Sequence, residues 1–216
     1  MENKIYPNVF LGTGSVIDEP CIIGKPPRGA RDGERLLKIG ENCHIRPFTT
    51  IYAGTEIGSN FQTGQGVSIR EDNFIGDNVS IGTNAVIEFG NIIGNGSRIH
   101  TGCFMELTTI GNHVFVGPNV VFTDDPHPMG CPRYKECKKG AVVEDLTRIG
   151  ANATILPGVR ISRNSLIGAG SVVVHDIPEN SVAAGCPARV IKSIFDLKCE
   201  AGFFERPYIW PPYEQA

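Results

Sequence analysis

The chain has 216 residues, 41% of them hydrophobic, with 20 Lys and Arg against 23 Asp and Glu for a formal charge of -3. That length buries a full core, which excludes bulk disorder, and basic residues scattered along the chain exclude the electrostatic footprint of a nucleic-acid or anionic-membrane binder. No apolar run approaches the ~18 residues that span a bilayer, MENKIYPNVFLG lacks the charged start and apolar core of a secretion signal, and seven cysteines without framework spacing read as free thiols of a cytoplasmic protein.

The predicted elements are short and periodic. Leu11, Ile17 and Ile23 open a period of six. It resumes at Ile39 and continues through Ile45, Ile51, Ile57, Thr63, Ile69, Ile75, Ile81, Ile87, Ile93, Ile99 and Met105. The phase moves by one at Ile110, Val116 and Phe122, and a last run occupies Val143, Ile149, Ile155, Ile161, Ile167 and Val173. A period of six fits neither the 3.6-residue helix nor a long alternating strand, so each hexad is predicted to be one short strand plus a corner. The 24 hexads make eight turns at three per triangular coil, an all-β solenoid whose repeat residues stack into one apolar column. Gly follows the repeat residue at Gly40, Gly58, Gly64, Gly76, Gly82 and Gly94, where a tight turn would favour a residue without Cβ. Two residues before the column, small or medium side chains such as Cys21, Cys43, Thr49, Val67, Ala85 and Cys103 are expected to point inward.

The period breaks twice, and residues inserted into a solenoid must lie outside its coils. Between Ile23 and Ile39 a charged external loop is expected at about 25–38. Between Phe122 and Val143 a second, at about 123–142, carries TDDPHPMGCPRYKECKKGAV. Its Cys131 and Cys137, spaced C-x5-C, form with His127 three of the four ligands of a candidate zinc site, two packed thiols or a disulfide being the other readings. The solenoid is taken as residues 1–192. Residues 193–216 are expected to form a short helix and an aromatic, proline-rich tail. Phe203, Phe204, Tyr208, Trp210 and Tyr213 are too many aromatics for a free tail, and are expected to cap the solenoid or lie against another subunit.

The repeats, together with a closing GAGSVVVHDIPENSVAAGCPARVIKSI that contains G-x-P-A-[KR]-x-I at Gly185 to Ile191, resemble the hexapeptide-repeat acyltransferase family over about residues 9 to 192. The resemblance implies a left-handed parallel β-helix, acetyl-CoA as co-substrate, and a homotrimer with sites at its interfaces. It also implies a sugar or sugar-nucleotide acceptor acetylated on an amino or hydroxyl group, in polysaccharide biosynthesis. His127-Pro128, in a loop before IGANATILPGV, resembles the family's catalytic landmark. Acyl transfer needs a base for the acceptor's proton, and a histidine titrates near neutral pH. His127 is therefore the expected base, with Asp125 or Asp124 fixing its tautomer, and a zinc ion on His127 would displace that role. FTDD resembles the family's FTND with Asp124 in place of Asn. TGQGVSIRED resembles TGH-x-x-x-IRE with Gln65 in place of His.

The family's cofactor track maps onto the corners at Ala151 and Ala169, the turn of Gly185, Pro187 and Ala188, and the cations Arg160, Arg163, Arg189 and Lys192, which suit phosphates. Gln65, Glu88, His100 and Glu106 are expected to face the acceptor. Two rival classes stand beside this reading: a zinc hydratase of the carbonic anhydrase type, which would need three histidines at subunit contacts, and a non-catalytic structural solenoid.

Overall fold

In the computed structural model, which describes residues 2–213, the column residues sit on strands of two to four residues stacked into three flat faces. Met1 and residues 214–216, the extremities of the two expected segments, lie outside the described residues. The first face has nine strands, from Lys4–Ile5 to Val172–Val173. The second has eight, from Val9–Leu11 to Arg160–Ile161. The third has ten, from Val16–Ile17 to Ala188–Ser193. The pairings between successive coils are parallel, and apart from a shift between Ile23 and Lys25 they keep register, Ile69 lying between Ile51 and Ile87. The result is a left-handed parallel β-helix.

The coils number nine, one more than the hexad count gives. Ile5 pairs with Ile23 ahead of Leu11, and beyond Val173 Ile177 bridges to Ile161 and Ala183 pairs with Ile167. Ile5 lacks the following glycine, Ile177 arrives early, and Ala183 is not branched, so none carries the hexad signature. From Ile23 to Val173 the column is almost completely buried, and the positions two residues before it are too, Cys21, Cys43, Thr49, Val67, Ala85 and Cys103 among them. Where that inner position is polar it is satisfied by its neighbours above and below. Asn73 Oδ1 accepts from the Asn91 backbone N–H and from its side chain, and Asn91 Oδ1 accepts from the Thr108 N–H at 2.9 Å.

The glycines that follow the column have a different cause from the one expected. The left-handed conformation falls two residues later, on Asn42, Asn60, Asn78, Asn84 and Asn152, or on Gly14, Gly66 and Gly102. The glycine after the column is instead required by the next coil, because a Cβ on Gly40 would lie 2.5 Å from the Gly58 carbonyl carbon. Coils spaced by one β-ladder leave no room there for a side chain.

Both insertions leave the same edge, between the first and second faces. The first connects Ile22–Lys25 to Leu37–Ile39, and the second connects Val121–Phe122 to Val142–Val143. The closing strand Ala188–Ser193 folds back antiparallel on Ser181–Gly185. In place of the expected C-terminal helix there is one 3-10 turn, Ile194–Asp196, capped by the Ser193 side chain. The tail then runs along the third face, where the Arg148 guanidinium lies 3.7 Å from the Tyr208 ring centre and 4.1 Å from that of Tyr213. These two aromatics cover a side of the prism, whereas Phe203 stays 82% exposed.

Candidate active site

The edge that carries the second insertion is lined by residues that follow the column on the first face: Arg70, Glu88, Glu106 and Thr123-Asp124. Arg70 donates to Glu88 at 2.9 Å and to Glu71 at 2.8 Å and lies over the Tyr52 ring. One coil on, Lys138 reaches back from the loop and donates to Glu106 at 2.7 Å, with its Nζ also 2.7 Å from Asp124 Oδ2. All three side chains are largely shielded from solvent. Burial, reinforced by the nearby Asp124 carboxylate, pushes the Glu106 carboxyl up despite the ammonium. Burial alone would lower Lys138, but hydrogen bonds to Asp124 and Glu106 outweigh it and hold that ammonium above the ordinary lysine range. The Lys139 N–H donates to the Asp124 carbonyl, closing the neck of the loop.

Between those anchors the loop projects His127 into solvent. Asp125 Oδ1 accepts from the His127 backbone N–H at 2.8 Å, and Asp124 is engaged by Lys138. Neither expected orienting carboxylate hydrogen-bonds the imidazole among the described residues. A short carboxylate two residues before a histidine caps the turn, and the carboxylate three before is held by the lysine. The side-chain ligand atoms of His127, Cys131 and Cys137 lie within 4.8 Å of one another, the cysteines half-buried and the histidine exposed. Of the other histidines, His44 pairs with Asp18 at 2.9 Å and His100 packs on Phe115 with ring centres 5.3 Å apart.

The remaining candidates divide among the edges. Glu88 and Glu106 share the edge of the His127 loop. Gln65 and His100 stand on the edge between the third and first faces, His100 beside a cavity of about 230 Å³ with Arg46, Gln62 and Arg98. Ala151 and Ala169 continue that same edge, and the Gly185-Pro187-Ala188-Arg189 turn meets it, with the Gly185 N–H donating to Ser171 Oγ. Ala169 also lines a cavity of about 410 Å³ with Gly150, Gly168, Arg148 and Tyr208. The expected phosphate cations do not gather there. Arg160 lies on the second face with its charge taken by Glu144 at 2.6 Å, and Arg163 follows it around the next corner. Lys192 pairs with Val182, at the far end of the closing strand pair from Arg189. Within one chain the column therefore sets Arg160, Arg163 and Lys192 at different positions around the prism from Arg189.

Three residues that the fold sets along these edges and faces escaped the sequence reading. Lys138, in a run of two lysines, gave no signal beyond charge. Tyr52 and Arg148 precede or follow column positions and read as ordinary outward residues. Arg148 is only 5% exposed, its Nη1 donating to Asn164 Oδ1 at 2.8 Å while Nε and Nη2 have no hydrogen-bond partner among the described residues.

Comparison with known proteins adds to this geometry. A profile described as bacterial transferase hexapeptide (six repeats) matches residues 140–175, and one described as hexapeptide repeat of succinyl-transferase matches residues 73–105. A galactoside O-acetyltransferase of Lactococcus lactis is 44% identical over 90 residues, 40% of this chain and 44% of that protein. A galactoside O-acetyltransferase of Escherichia coli is 38% identical over 172 residues, 76% of this chain and 66% of that protein. The matches thus span under half the length of the Lactococcus protein and 66% of the Escherichia one. The crystal structure of the polySia specific acetyltransferase NeuO superposes with a TM-score of 0.52 over 86% of this chain and 82% of that one at 24% identity, which speaks to the fold.

Proposed function

The chain belongs to the hexapeptide-repeat transferase family, and from that premise we propose that it moves an acetyl group from acetyl-CoA to a hydroxyl or amino group of a sugar or sugar nucleotide. The carrying observation is the His127 loop, an insertion that Lys138 fastens to Glu106 and Asp124 on one edge of the prism. His127 is the one histidine held out from the coils at such an anchored site. It takes the acceptor's proton as the oxygen or nitrogen attacks the thioester carbonyl, and the CoA thiolate leaves. Transfer is direct, without an acyl-enzyme. Glu88 and Glu106 face the acceptor from the same edge, in keeping with the sugar hydroxyls implied by the galactoside relatives' names.

The pantetheine arm runs along the small corners at Ala151 and Ala169 toward the Gly185 to Arg189 turn, where Arg189 is available to phosphate. This track lies on a different edge from His127, and base and thioester must come within hydrogen-bond and bonding reach of one acceptor atom. A neighbouring copy supplies the second edge, which is the physical case for a homotrimer with three interfacial sites.

The test is release of CoA thiol from acetyl-CoA in the presence of galactosides and amino sugars. His127→Ala is expected to lower kcat by about 100-fold or more while CoA binding, measured by calorimetry, persists. A variant that keeps its rate removes His127 from the chemistry, and a chain that binds no acyl-CoA removes the transferase reading.

A further inference from the structure

We propose that His127, Cys131 and Cys137 form a binding site for one zinc-class divalent cation, and that the bound cation holds acetyl transfer off by occupying the His127 lone pair. The inhibitory half rests on the reading of His127 as base; the site itself does not.

The loop's backbone is folded so that three residues spread over eleven positions converge. Asp125 caps the His127 N–H, and the Gly130 N–H reaches the His127 carbonyl at 3.3 Å across Met129, which adopts a left-handed φ of 55°. The Tyr134 N–H then donates to the Cys131 carbonyl at 3.0 Å and starts the helical turn Tyr134–Cys137, which returns Cys137 to the histidine. Lys138, the next residue, fixes that end to Glu106 and Asp124. The three donor atoms lie within 4.8 Å of one another. Tetrahedral coordination with Zn–S near 2.3 Å needs sulfur atoms about 3.8 Å apart, so a shift of about 1 Å in a solvent-facing loop completes the site.

Two thiolates and an imidazole form a soft donor set that selects zinc or cobalt over magnesium or calcium. Capture of the cation releases the thiol protons and leaves a fourth position for water. An imidazole bound to a cation through one nitrogen carries its proton on the other and has no lone pair left to accept one. By contrast Cys21, Cys43 and Cys103 are sealed in the core and offer a cation no access.

The full chain, reduced with a phosphine and stripped of metal, would be titrated with cobalt(II). The expected result is one cobalt per chain with a thiolate-to-cobalt charge-transfer band, displaced by zinc. The band should vanish in Cys131→Ser/Cys137→Ser, and cobalt should bind about tenfold more weakly or worse in His127→Ala. Zinc should slow acetyl transfer about tenfold or more, with the ratio of rates returning to about one in the double serine variant. A reduced chain without the band, or a band that survives in the double serine variant, overturns the site. A zinc-saturated chain that transfers acetyl at an unchanged or higher rate overturns the inhibition. A chain that binds cobalt through these residues and acetylates nothing leaves the site standing and sinks the transferase reading instead.

Discussion

Glu106 concentrates the electrostatics of this edge. Its ordinary unfolded pKa is about 4.3, and burial beside Asp124 raises it in the folded chain, so within the window above 4.3 the folded state holds the proton more tightly. Stability from this group is therefore greatest at low pH and declines as pH rises through the folded value. Glu106→Gln removes the titration and loses the Lys138 pair. Melting of both proteins at pH 4 and pH 7.5 should show the difference in Tm moving toward the variant by about one to three degrees at the higher pH. Movement the other way would mean that the ammonium dominates and Glu106 is stabilised as an anion. The sequence placed Glu106 correctly after the column and gave no hint of this state, because Lys138 stands thirty-two residues later and meets it only through an insertion whose path no period describes. His127 shows the same limit: its residue type and loop were legible, but the partners of Asp124 and Asp125 were not.

At the scale of the element, the short corners decide where the loop can sit. Between Met105 and Ile110 the corner is one residue short, Leu107 takes a φ of 52°, and the loop returns against it at Gly140. A Cβ on Gly140 would collide with the Leu107 carbonyl, backbone against backbone, with no side chain able to yield. Gly140→Ala is expected to cost about 3 kcal/mol in urea unfolding and to lower kcat by misplacing His127. Gly130→Ala, whose Cβ would find its nearest neighbour at 3.7 Å, should change stability by less than about 0.5 kcal/mol. Equal effects at the two positions would mean that the loop's return path is not fixed by this contact. Periodicity revealed the coils because burial of the column repeats every six residues. It misattributed the glycines after the column, since the close approach is between coils eighteen residues apart in sequence, and a pattern read along one coil contains no distance to the next.

At the scale of the molecule, the prism separates the two halves of the proposed chemistry. The His127 loop leaves the edge between the first and second faces, while Ala151, Ala169 and the Gly185 to Arg189 turn mark the edge between the third and first. A stack of β-ladders is stiff across its width, and no hinge in the coils can bring one edge onto the other. If a neighbouring subunit closes the gap, the two functions can be inactivated in different chains and recovered by mixing. His127→Ala removes the proposed base, and Ala169→Trp places a bulky side chain on the proposed pantetheine track, at an exposed corner outside the column. Each variant alone should be inactive. Co-expressed in equal amounts, they should yield about a quarter of the unmodified rate, the fraction of interfaces that pair an intact loop with an intact track. Both edges working within one chain would give no recovery, since every chain would then carry a lesion in its own site. The same mixing experiment therefore reads the oligomer and the site together, and native mass measurement of the mixture fixes whether the recovering species has three chains.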